Sequence, residues 1–93
     1  MDELKKIRDE IDSIDYQMAK LYEQRLQAVT NVIQYKMEHN LPVLDQNREQ
    51  EILSRNQTWV SEPYRECYKR FQKYVMEESK RFQQEKEKKN EFC

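Results

Sequence analysis

Ninety-three residues make at most one domain, and with 38% charged against 37% hydrophobic residues a single chain has little apolar surface to bury. The formal charge is −1 with both signs interspersed, so there is no overall field for nucleic acid or an anionic membrane, and any anion site must be local. No apolar run approaches the ~20 residues that span a bilayer, the opening Met-Asp-Glu-Leu-Lys-Lys is no signal peptide, and Cys67 and Cys93 form no metal or disulfide spacing; these features predict a cytoplasmic protein with free thiols.

The first 41 residues contain neither Gly nor Pro. Along them Leu4, Ile7, Ile11, Ile14, Met18 and Leu21 recur at alternating spacings of three and four, the stripe of a helix buried on one side. The stripe predicts one helix over residues 3–38, ~54 Å long at 1.5 Å per residue, whereas a compact domain of this length has a radius of gyration of roughly 12 Å. The 55 residues that follow cannot cover such a rod. The expectation is an obligate oligomer, most simply a twofold dimer.

The next position on the seam is Arg25. A charge where the pattern asks for Leu costs several kcal/mol, on the order of a broken buried pair, unless something pairs with it. Lys36 follows eleven residues later, only ~20° around the helix at 3.6 residues per turn. Two cations thus point from one face into what the pattern makes core, which calls for an anion. A polar residue in a coiled-coil seam also serves as a register device, so Arg25 alone does not decide between the two.

The helix is expected to stop between Glu38 and Asn40, where His39-Asn40-Leu41-Pro42 brings polar residues and a proline. His39 at that end has an ordinary explanation in the helix dipole. A second helix is expected from Asp45 to Asn56, with Asp45 capping or beginning it. On it Asp45, Arg48 and Glu49 share a face with Ile52; read alone, they are a solvated, salt-bridged face. Gln57 to Ser61 reads as a connector, and Ser61-Glu62-Pro63 as the start of a third helix. That helix carries Tyr64, Cys67, Tyr68, Phe71, Tyr74, Val75 and Phe82 at helical spacing. Ser79 and Gln83 extend the stripe through Val75; read alone, they are a wet stripe near a helix end. From Gln84 a charged tail follows, frayed at its end. The expectation is all-α: three helices, one very long, in a single domain over 1–93 with about 85–93 as the tail.

With no glycine in the chain, neither a Walker loop nor a dinucleotide fingerprint can be built. A single histidine excludes a His-rich metal cluster and leaves no Ser-His-Asp triad. No metal or cofactor is expected. Binding remains, or catalysis by position and electrostatics.

Taken in order, these segments resemble the all-helical (AroQ-class) chorismate mutase family over about Leu4 to Gln84. Ile7-Arg8-Asp9-Glu10-Ile11-Asp12-Ser13-Ile14-Asp15 resembles its opening helix, and Glu23-Gln24-Arg25 with Ala28-Val29 and Lys36 its middle. Pro42-Val43-Leu44-Asp45-Gln46-Asn47-Arg48-Glu49 resembles the loop and second-helix signature, and Glu77-Glu78-Ser79 with Gln83 the last part. The resemblance implies conversion of chorismate to prephenate in one pericyclic step, without nucleophile, proton transfer or cofactor. Such an enzyme has two tasks: to fold the enolpyruvyl arm over the ring, and to stabilise negative charge on the breaking ether oxygen.

By the same resemblance Arg8 and Arg25 bind carboxylates, a task suited to guanidinium forks. Lys36 contacts a carboxylate and the ether oxygen, and Gln83 donates to that oxygen. Asp45 and Glu49 handle the ring hydroxyl, while Arg48 and Ser79 complete the contacts. Arg8 and Arg25 stand ~25 Å apart along a straight helix, so both serve one site only if Arg8 comes from a second subunit. The family's intertwined homodimer, whose long helices contribute to both sites, meets that condition. Two other readings stand beside this one: an isochorismate-pyruvate lyase on the same scaffold, and a non-catalytic helical dimer or regulatory relic. The polar pair Asp45 and Glu49 favours the mutase over the lyase, and the relic gives no reason for Arg25, Lys36 and Gln83.

Overall fold

The lack of glycine does not prevent a sharp end to the first helix. In the computed structural model, which describes residues 2–89, α1 runs Asp2–Glu38, with Asp2 and Glu3 in its first turn and Lys36 in its last, each sign at the end the helix dipole favours. Asn40 then takes the left-handed conformation (φ 56°). The Leu41 amide reaches back to the Lys36 carbonyl at 2.8 Å and the Asn40 amide to that of Met37 at 3.4 Å. This is the two-bond Schellman closure, built on asparagine, a residue that tolerates left-handed backbone better than most. His39 Nδ1 lies 2.8 Å from the Tyr35 carbonyl, which also accepts the His39 amide at 3.1 Å, and its ring stacks on Tyr35 at 4.0 Å.

The second helix, α2, spans Gln46–Asn56, and Asp45 is its cap: extended backbone (φ −137°, ψ 98°) with Oδ1 accepting from the Arg48 amide at 3.0 Å. A single 3-10 turn at Gln57–Trp59 and another at Glu62–Tyr64 make the connector to α3, Arg65–Lys89. Arg65 Nε ties this connector together by donating to the carbonyls of Gln57 (3.1 Å) and Val60 (2.9 Å). Trp59, to which sequence patterning gives no task, lies 5.0 Å beneath the Arg55 guanidinium. The helix α3 continues through 84–89, which the charge pattern assigned to the tail; residues 90–93, where fraying was expected, lie outside the described residues.

The buried apolar residues are Ile33 of α1, Val43 of the loop, Ile52 of α2 and Met76 of α3. Gln72 is buried too and accepts a hydrogen bond from the Tyr68 hydroxyl. All of this packs around the C-terminal half of α1. On the N-terminal half, the seam residues Leu4, Ile7, Ile11, Ile14, Met18 and Leu21 are each between 40% and 62% exposed. The chain measures 56 × 27 × 15 Å with a radius of gyration of 16.8 Å, against roughly 12 Å for a compact domain of this length. Among the described residues there is no strand, and no helix is long and apolar enough to cross a membrane.

Candidate active site

Three helical stripes meet at the buried end of α1. Arg25, Val29, Val32 and Lys36 fall one turn apart on α1; Asp45, Glu49 and Ile52 do so at the start of α2; Met76, Ser79 or Lys80, and Gln83 do so on α3. Together with Val43 they enclose a cavity of about 290 Å³. Its walls are aliphatic, from Val29, Val32, Val43, Ile52 and Met76, and its polar groups are few and convergent, the arrangement of a small-ligand site. Four cationic residues line it, Arg25, Lys36, Arg48 and Lys80, against two carboxylates, Asp45 and Glu49.

The seam arginine is not left without a partner. Arg25 Nη1 donates to Ser79 Oγ at 2.8 Å, and Ser79 is buried, so the guanidinium is aimed across the cavity from α1 to α3. Lys36 Nζ donates to the Val43 carbonyl at 3.1 Å, which pins the ammonium over the loop. Because the Lys36 carbonyl also receives the Leu41 amide, the turn that ends α1 and the lysine it positions are one local unit. Glu49 Oε1 meets Lys80 Nζ at 3.0 Å with its side chain only 19% exposed. Gln83 is half-buried on the cavity wall, and its amide makes no side-chain hydrogen bond among the described residues, so both its N–H groups are open to a ligand.

Two expected residues are placed differently from their neighbours. Arg48 borders the cavity, but its guanidinium pairs with Glu51 and its side chain is about half exposed, so it stands at the rim. Arg8 is exposed far up α1 and does not line the cavity; one chain alone does not bring it to Arg25. Asp45 lines the cavity with one carboxylate oxygen already engaged in capping α2. The residue that sequence reading missed is Lys80. Its spacing of four from Met76 and three from Gln83 puts it on the same face, but the run Ser79-Lys80-Arg81 reads as solvated charge. Among the described residues no cluster of three or more His, Cys, Asp or Glu could hold a metal ion.

The profile of the chorismate mutase type II family matches residues 7–84, most of the chain and every element that lines the cavity. The chain belongs to the chorismate mutase type II family. The three cavity-lining stripes all fall within the matched region. A protein named T-protein from Haemophilus influenzae is 41% identical over 49 residues, 53% of this chain and 13% of the relative. The chain therefore spans about an eighth of that relative's length. No solved structure matches it.

Proposed function

We propose that this chorismate mutase family member rearranges chorismate to prephenate in phenylalanine and tyrosine biosynthesis, in the cytoplasm, with two sites shared across a homodimer. The observation that carries the reading is the convergence of Arg25, Lys36, Glu49 and Gln83, from three helices, on one aliphatic cavity. A dianion with a hydroxyl and an ether oxygen needs that mixture: fixed cations for carboxylates, an acceptor for the hydroxyl, neutral and charged donors for the ether oxygen. Arg25, oriented by Ser79, presents its free N–H groups to a carboxylate. Lys36 and Gln83 donate to the ether oxygen, where negative charge grows as the C–O bond breaks. Donors held in place beforehand in a site walled by Val29, Ile52 and Met76 are worth more there than in water. Glu49 accepts from the ring hydroxyl; Asp45 holds the first turn of α2, and hence Glu49, in position. Arg48 meets the substrate from the rim.

Two quantities support the dimer. A folded monomer of 11.6 kDa exposes ~5,800 Å² by the usual scaling of surface with mass, whereas this chain exposes 7751 Å². The excess of about 1,900 Å² per chain is what an obligate interface removes. The uncovered seam on α1 continues into an apolar groove lined by Met18, Tyr22, Phe71, Tyr74 and Val75. A partner α1 laid along it brings its own Arg8 to the cavity.

The test is loss of chorismate's ultraviolet absorbance with purified protein, followed by separation of products. Prephenate is the expected product. Salicylate and pyruvate from isochorismate, with chorismate untouched, would replace the mutase by a lyase on the same scaffold; no turnover by a folded dimer would leave a binding protein.

A further inference from the structure

The Lys80–Glu49 pair is unlike the ion pairs on the surface of this chain. Lys5–Asp9, Lys69–Glu66 and Arg81–Glu78 each span three or four residues of one helix and face solvent, and such pairs contribute little. Lys80 reaches from α3 to α2, and the carboxylate it meets lies inside the cavity wall. A carboxylate beside a dianion site has two drawbacks. Its charge repels the substrate's carboxylates, and free rotation about its last bond leaves its acceptor directions unset. The Lys80 ammonium, 3.0 Å from Oε1, offsets the first and removes the second, leaving Oε2 to accept from a ligand.

We propose that Lys80 is a positioning residue that acts through Glu49 to select a ligand with a ring hydroxyl at that spot. The inference rests on reading the cavity as the chorismate site. Lys80 touches no reacting atom in this account; it sets the plane and the field of the carboxylate that does the recognising. Its effect therefore exists only while Glu49 is present, and is larger for a ligand that carries the hydroxyl.

The experiment is a cycle of Glu49→Gln, Lys80→Met and the double variant, each checked for wild-type helicity. It reads kcat and KM on chorismate and the inhibition constant of an unreactive cyclic dicarboxylate with and without the hydroxyl. Lys80→Met alone is expected to lower kcat/KM about tenfold, within the range for coupled members of one charge network. In the Glu49→Gln background it is expected to change nothing beyond about twofold, the scatter of independent sites. In Lys80→Met the inhibitor lacking the hydroxyl is expected to lose several-fold less affinity than the one that carries it, and Lys80→Arg to recover most of the loss. Losses that multiply in the double variant, or an equal loss of affinity for both inhibitors, would overturn the proposal by making Lys80 a direct anion contact or a prop of the fold. A wild-type protein inactive on chorismate is a separate outcome, removing the reading on which the inference stands.

Discussion

Replacing Arg25 by leucine sets the hydrophobic pattern against the site. The seam asks for Leu there, and pattern alone says the change stabilises. The structure says the gain is mostly cancelled. Leucine at a half-buried position gains about 1 kcal/mol, half the value of a fully buried side chain. Removing a half-buried cation that has no carboxylate partner among the described residues relieves a desolvation cost of roughly the same size. Against these stands the 2.8 Å hydrogen bond to Ser79, a bond from a charged donor whose loss costs about 1.5–3 kcal/mol. The net change is then within about 1 kcal/mol, a melting shift of at most ~8 °C for a domain of this length. Activity responds on another scale. Losing the charged partner of a desolvated carboxylate costs ~3–5 kcal/mol, which at 1.36 kcal/mol per decade is about a thousandfold in kcat/KM. The assay pairs thermal melting by circular dichroism with chorismate consumption, and Ser79→Ala serves as the control that removes the bond but keeps the charge. A folded Arg25→Leu protein retaining more than about a tenth of wild-type kcat/KM would refute the assignment of Arg25 to a substrate carboxylate.

Gln83 donates through an amide at any pH, so the wild-type rate should not require acid. Gln83→Glu should acquire such a requirement, because a glutamate, ordinarily titrating near ~4.3, donates only when protonated; activity then falls as pH rises through that group's pKa, and a flat profile in the variant removes Gln83 from the ether oxygen. Asn40→Ala should lower stability by about 1–2 kcal/mol, because alanine pays the full left-handed penalty at φ 56°, while Asn40→Gly should not; equal melting of all three would mean the turn does not set the end of α1. Mixing Arg8→Ala with Arg25→Ala chains under conditions that exchange subunits should restore about a quarter of wild-type activity, since half the dimers are hybrids with one intact site. No recovery after confirmed exchange would place both arginines in the same chain's site or Arg8 in none.

The sequence showed the three helices because each depends on local signals: the three-and-four seam on α1, Asp45 as cap of α2, Pro63 before α3. It showed Arg25 and Lys36 because a charge on an apolar stripe breaks a pattern that can be seen without coordinates. Ser79 and Gln83 were visible only with the family's ordered segments in view, since four-residue spacing near a charged tail has a plain solvent-facing explanation. Lys80 was hidden for the same reason.

What the sequence determined by itself is the long helix, its polar interruptions and the shortage of core for one chain, because helical periodicity and surface-to-volume limits act through residues near one another or through bulk composition. What only the tertiary structure decided is which polar groups meet: Arg25 with Ser79, 54 positions apart, and Glu49 with Lys80 across two helices. Helical spacing fixes the face on which a side chain lies. The partner across that face is set by how α1, α2 and α3 pack around Ile33, Val43, Ile52 and Met76, and no local pattern carries that register.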